Sequence, residues 1–192
     1  MRVLLFNGSP RLNGNTMAML RLAGAEMESE GIACEYIQLG GLPLRGCMAC
    51  GGCRKESPPR CAMDSDPVNG WIDRIAQADG LLIGSPVYFG SVSSAVKSFI
   101  DRVGYVVRSR PEALRRKPAA AVVSVRRAGA LTTFDTINHF FSIAEMVVVG
   151  SSYWNMTLSR DLEDWKKDEE GIATMKTLGQ NMAWALKRLR GE

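Results

Sequence analysis

The stretch CMACGGCRKESPPRC, Cys47 to Cys61, holds four of the chain's five cysteines, spaced C-x2-C-x2-C-x7-C. Thiols this crowded have three chemistries open to them: disulfide pairing, thiol exchange or metal ligation. Met1-Arg2 runs straight into VLLF, without the charged, apolar and cleavage regions of a secretory leader, so the expected compartment is the cytoplasm. Structural disulfides are rare there. A thioredoxin-like C-x2-C pair uses two thiols and leaves two over. Structural zinc usually takes two C-x2-C knuckles well separated in sequence, and a continuous C-x2-C-x2-C is tighter than that. A cubane iron–sulfur cluster needs four thiolates around a compact core. Cys47, Cys50 and Cys53 would wrap one side of it and Cys61 would close the cage. Pro58 and Pro59 stiffen the return to Cys61, although the usual proline after the last cysteine is replaced by Ala62. Zinc, a thiol pair and a metal-free loop remain open on the cysteine pattern alone.

Other chemistry-bearing residues cluster in three turns. NGSPRLNGNT (7–16) has neither the G-x-G-x-x-G of a dinucleotide fold nor the G-K-[ST] of a nucleotide triphosphate loop. Its Ser9, Arg11, Asn15 and Thr16, with free amides at a helix start, suit a terminal phosphate; the plain alternative is a capped turn. GSPVYFGS offers Pro86, Val87, Tyr88, Phe89, Gly90 and Ser91 as apolar wall and backbone donors for a flat ring, or as ordinary packing at a sheet edge. SVRRAG supplies Ser124, Arg126, Arg127 and Gly129 as a polar rim, or as solvated arginines. No Ser-His-Asp set and no paired carboxylates form a motif. The single histidine, His139, is expected as a packed imidazole, so no side chain is assigned a catalytic role.

These turns must be positioned by regular elements, and the hydrophobic rhythm supplies them. Short apolar runs at 2–8, 33–39, 80–88, 118–125 and 146–152 predict five strands. Helical spacing predicts helices over 14–31, 66–75, 93–103, 132–145 and 168–190, with Met17, Leu20, Gly24 and Met27 on one buried stripe. Strand alternating with helix five times predicts an α/β fold: a flavodoxin-like, doubly wound, five-stranded parallel sheet in order 2-1-3-4-5. The whole chain, 1–192, is expected to form one domain, with residues 40–66 as a Cys-rich loop between strands two and three. Ligands of such sheets sit beyond the carboxyl ends of the strands, where all three turns fall. Cys34, Trp71, Trp165 and Trp184 are expected as buried packing residues.

Composition narrows the function classes. Apolar residues make up 46% and charged residues 23%, which is ordinary for a soluble domain. No apolar run approaches the roughly eighteen residues that span a bilayer. The net charge of +4 comes with seven Arg and Lys between Arg108 and Arg127. No aromatics interleave with them, so nucleic acid is not the expected partner.

GSPRLNGNT and GSPVYFGSVSSAVKSFIDR resemble the two FMN loops of the NADPH-dependent FMN reductase superfamily. The cysteine string between them resembles that of its iron–sulfur flavoproteins. The resemblance implies FMN, with Ser9, Arg11, Asn15 and Thr16 around its phosphate and Pro86 to Ser91 along the isoalloxazine and ribityl chain. Ser124 to Gly129 follow as a third contact, and Cys47, Cys50, Cys53 and Cys61 as ligands of a [4Fe-4S] cluster. The implied activity is an FMN-dependent oxidoreductase relaying electrons between cluster, flavin and a ferredoxin-like donor or NAD(P)H, in a homodimer or homotetramer. Three other readings stay open: a cluster-free NAD(P)H-dependent FMN or quinone reductase, a non-catalytic electron carrier, and a zinc-stapled scaffold. Cluster and flavin are expected on the same edge of the sheet, with the basic stretch 108–127 ending there to steer an acidic carrier. The segment GSSYWN, 150–155, is left without a role.

Overall fold

The computed structural model describes residues 1–191. Its strands are β1 (Arg2–Asn7), β2 (Ala33–Gln38), β3 (Gly80–Pro86), β4 (Pro118–Val125), β5 (Val147–Val148) and β6 (Met156–Leu158). All pairings are parallel, in order β2-β1-β3-β4-β5, with β6 also on β4. The helices are α1 (Asn15–Ser29), α2 (Val68–Gln77), α3 (Ser94–Arg108), α4 (Ala130–Ile143) and α5 (Glu169–Arg190). The expected flavodoxin-like sheet is therefore present, with the Cys-rich loop between β2 and β3.

Strand periodicity splits the core in two. In β1, Val3 and Leu5 face Met19, Leu20 and Met27 of α1 and Met175, Leu178 and Leu186 of α5. Leu4 and Phe6 face the other way, onto Trp71 of α2, Phe99 and Val103 of α3 and Phe141 of α4. Phe6 stacks on Phe99 at 4.6 Å and meets Trp71 edge-on at 5.9 Å. β4, with the sequence PAAAVVSV, is buried at every position, as a central strand covered on both faces must be.

Several expectations change. The run 146–152 is not one strand: only Val147 and Val148 pair with β4 before the chain leaves the sheet. It returns as β6 beside Val123 to Val125, so GSSYWN is a detour inside an interrupted last strand. Tyr153 and Trp154 stack edge-on at 4.7 Å on that detour and are exposed. α2 starts at Val68, with Pro67 rather than Asp66 at the cap, although Asp66 still serves the helix start: its Oδ1 accepts the Val68 amide at 3.2 Å while its Oδ2 meets Arg102. Trp71 is core and Trp165 packs half-buried against the α1/α5 side, but Trp184 is 64% exposed. His139 is exposed, not packed. Cys34 is half-buried, its thiol reaching the Gly24 carbonyl at 3.6 Å. The basic stretch is divided by β4: Arg108 to Lys117 precede the strand, and only Arg126 and Arg127 follow it. Eight residues at about 3.3 Å each hold the two groups roughly 26 Å apart. Arg115 is paired with Glu145, and Lys117 donates to the carbonyls of Ile75 and Ala76.

Asp168 ties β6 to α5. One carboxylate oxygen accepts from the Gly171 amide as a helix cap, and the other accepts from Thr157 Oγ1 at 2.9 Å and from the Leu158 amide at 2.6 Å. Asp168→Ala is expected to cost about 2 kcal/mol from the lost cap and the orphaned donors. Calorimetry should show this as a melting midpoint lower by roughly 4–8 °C.

Candidate functional site

The carboxyl ends of β1, β3, β4 and β6 release four loops around one cavity of about 180 Å³. Its walls are Ser9, Arg11, Asn15 and Thr16 from the first loop, Pro86, Val87 and Tyr88 from the second, and Ser124 and Arg126 from the third. Ser159 and Arg160 come from the fourth. Phe89, Gly90, Ser91, Arg127 and Gly129 lie in these same loops but do not line the cavity.

The first loop is built to receive an anion. Gly14, the α1 cap, has no side chain to cover the first helical amides, and the helical ladder begins only with the Ala18 amide on the Gly14 carbonyl. The amides of Asn15, Thr16 and Met17 therefore have no acceptor within the helix, and they stand at its positive end. Thr16 and Ser9 are buried beside them, and Ser9 Oγ accepts the Arg11 amide at 3.2 Å. The Asn15 side chain does another job. Its Nδ2 donates to the Asp161 carbonyl at 2.9 Å and its Oδ1 accepts the Glu163 amide at 3.0 Å, which clips the first loop to the fourth.

The second loop reverses tightly. Tyr88 and Ser91 exchange both backbone hydrogen bonds, with Phe89 at φ 48° and Gly90 at φ 78°. A bulky residue at positive φ is strained, and the Phe89 ring stands wholly in solvent instead of packing at the sheet edge. Gly129, at φ 89°, presses on this turn: a Cβ there would meet Gly90 Cα and Val87 Cγ1, each at 2.9 Å. Ser124 and Ser159 both line the cavity, and each buries a hydroxyl that meets no partner among the described residues. Such orphans are costly in a finished structure, and a polar ligand seated in this cavity would satisfy both. A phosphate at the α1 start, a flat ring along Pro86 to Tyr88 and arginines on the rim fit its chemistry.

The cysteines form a second site. All four line a cavity of about 170 Å³ together with Arg102, Tyr105 and Val106 of α3. A short 3-10 turn, Gly52–Arg54, follows Gly51 at φ 69° and buries Cys53. Cys61 is clamped by Asn69 of α2, which accepts its amide and donates to its carbonyl, both at 2.9 Å. Cys47 Sγ accepts the Ala49 amide at 3.4 Å, and Cys61 Sγ accepts Arg102 Nε at 3.4 Å. None of the cysteines is disulfide-bonded. Burial pushes the Cys53 thiol up, and the thiols of Cys47, Cys50 and Cys61 add to the shift. Burial pulls the Arg102 guanidinium down, but its bonds to Asp66 and Cys61 outweigh that and leave it above its ordinary value. Among the described residues no three His, Cys, Asp or Glu converge on a single metal ion. Four cysteine sulfurs on the walls of one cavity are the kind of donor set that a four-thiolate iron–sulfur cluster takes.

One helix serves both sites. The α3 cap, Ser93, donates its hydroxyl to the Gly8 carbonyl at 2.8 Å and its amide to Ser85 Oγ at 3.0 Å, bracing the first two loops. Nine residues on, about 13 Å along the axis, the same helix presents Arg102 to Cys61. The cysteine loop thus leaves the carboxyl edge of the sheet and is held against α3 by Arg102 and against the start of α2 by Asn69.

Sequence reasoning missed Ser159, Arg160, Asn69 and Arg102. Ser159 and Arg160 follow a three-residue strand too short to carry a period. Arg102 did leave a signal: it lies three residues from Phe99 and four from Val106, on the apolar stripe, where an unpaired arginine has no place.

The family model for NADPH-dependent FMN reductase matches residues 1–161. An iron-sulfur flavoprotein of Methanocaldococcus jannaschii is 34% identical over 99% of this chain and 100% of its own length. A second iron-sulfur flavoprotein of that organism is 28% identical over the full length of both chains. Among solved structures, a flavodoxin from the domain Archaea superposes with a TM-score of 0.64 at 18% identity, covering 97% of this chain and 99% of that one, a likeness of fold alone.

The orphaned hydroxyl of Ser124 gives a test with two signs. Ser124→Ala should stabilise the ligand-free chain by about 1 kcal/mol and weaken FMN binding by a similar amount, roughly fivefold. Thermal melts without ligand and fluorescence titration with FMN read the two effects separately. Thr16→Ala should weaken FMN binding by about 1–3 kcal/mol while leaving riboflavin, which lacks the phosphate, nearly unaffected in the same titration.

Proposed function

The chain belongs to the NADPH-dependent FMN reductase family and to its iron-sulfur flavoprotein branch, and from that premise we propose that this flavin-dependent oxidoreductase relays electrons between FMN and a [4Fe-4S] cluster. Bound FMN supplies exchange of electrons in pairs or singly, and a cluster supplies them one at a time. The chain's own task is to hold and orient. The free α1 amides with Ser9, Arg11 and Thr16 take the phosphate, Asn15 fixes the loop that carries them, and Pro86 to Tyr88 wall the ring. Ser124 and Ser159 offer hydroxyls, and Arg126 and Arg160 a positive rim.

Cys47, Cys50, Cys53 and Cys61 hold the cluster. The observation that carries this reading is the sorting of the thiols: these four line one cavity on the α2/α3 side, while Cys34 packs against the α1/α5 core. The electron donor is a ferredoxin-like protein or NAD(P)H, met at the loop edge, where Arg126 and Arg127 remain exposed. Self-association into a homodimer or homotetramer accords with the exposure of Phe89, Tyr153 and Trp154. No described helix is long and apolar enough to cross a membrane.

Anaerobic reconstitution should yield about four iron and four sulfide per chain, with flavin bands and a broad shoulder in the visible spectrum. Stoichiometric zinc in protein isolated without added metal, and no iron uptake, would overturn the cluster; flavin bands alone would favour a cluster-free reductase. Cys53→Ala should keep FMN and still be reduced by dithionite, yet lose electron uptake from a ferredoxin-like donor. An unchanged rate with that donor takes the cysteine site off the path.

A further inference from the structure

Arg102 is 1% exposed on a helix face whose other members, Phe99, Val103 and Val106, are apolar core. A buried guanidinium survives only when its donors are met. Here every partner lies in the cysteine loop or at its end. Nη1 donates to Asp66 Oδ2 and reaches the Arg45 carbonyl at 3.5 Å, Nη2 donates to the Met63 carbonyl at 2.9 Å, and Nε donates to Cys61 Sγ at 3.4 Å. The two carbonyls and the carboxylate suffice to clasp the loop. The fourth contact goes to sulfur, so the guanidinium that clasps the loop also donates to a cysteine of the site.

We propose that Arg102 is a positioning residue that sets the reduction potential of the cysteine site, through its hydrogen bond to Cys61 Sγ and its fixed charge, with Asp66 as the opposing weight. This rests on the cluster reading given above. Adding an electron to a thiolate-held centre adds negative charge. A donor and a permanent cation at the sulfur favour the reduced form and raise the potential. The Asp66 carboxylate, whose side chain is 11% exposed, offsets part of that field. The pair therefore predicts shifts of opposite sign when either member is neutralised.

The test is a redox titration of reconstituted protein, followed by electron paramagnetic resonance, for wild type, Arg102→Gln and Asp66→Asn. Arg102→Gln should lower the potential and Asp66→Asn should raise it. Each should change the reduced-to-oxidised ratio at fixed poise by about tenfold, which is 59 mV for a one-electron couple. Proteolysis of the metal-free variants within 40–66 gives a separate reading of the clasp. Unchanged potentials, or shifts of the same sign in both variants, with faster proteolysis, would reduce Arg102 to a clasp. If Arg102→Gln does not fold, Asp66→Asn alone decides, and a potential that fails to rise overturns the proposal. If wild-type protein takes up no iron and sulfide, the cluster reading falls first and this inference falls with it. A normally loaded wild type with indifferent variants sinks the inference alone.

Discussion

Parallel pairing is the constraint from which the rest of this molecule follows. Every strand of the sheet runs the same way, so each helical connection must carry the chain back across a face, and the loops after β1, β2, β3, β4 and β6 emerge at one edge. Residues as far apart in sequence as Ser9, Pro86, Ser124 and Ser159 are therefore delivered to one cavity without any of them being near another in the chain. Burial of β4 on both faces fixes the register of that delivery, because a slip of one residue would exchange the two halves of the core.

α3 turns this shared edge into a two-site arrangement. Its start is braced between Gly8 and Ser85, so the helix cannot shift without disturbing the first two loops. Its middle is plugged by Arg102 into a loop with almost no regular structure of its own. Asn69 on α2 adds a second grip at Cys61. The cysteine loop is long and irregular, yet its geometry is borrowed from two rigid helices packed on the sheet. This is how a loop rich in Gly and Pro can present four thiols to one cavity.

The first four strands, the five helices and the three turns at the carboxyl edge were legible in the sequence because each rests on a local signal: an apolar run, a helical stripe or a turn. β1 and β4 match their predicted spans nearly residue for residue. What was not legible depends on tertiary partners. The break in the last strand follows from where Asn155 and Val149 meet β4, and MTL is too short to announce a strand. Asn15 looks like a ligand donor in a turn sequence, and only the fold reveals that Asp161 and Glu163 occupy its amide. The basic stretch reads as one patch in the sequence because a strand's length is invisible in a charge count. Residue type places Trp184 and His139 in the interior, and it is a weak guide when a helix has one face in water.

The Asn15 clip has a consequence for how the chain reaches its working form. It joins residues 146 and 148 positions apart, so making it closes a loop that takes in most of the chain. Contacts of such long range slow assembly, because the loop they close must be ordered before they repay its entropy. The cavity is thus a property of the finished fold and not of any fragment. A ligand that needs all four walls binds the native state and nothing before it, so the supply of that ligand draws the folding equilibrium toward completion by mass action.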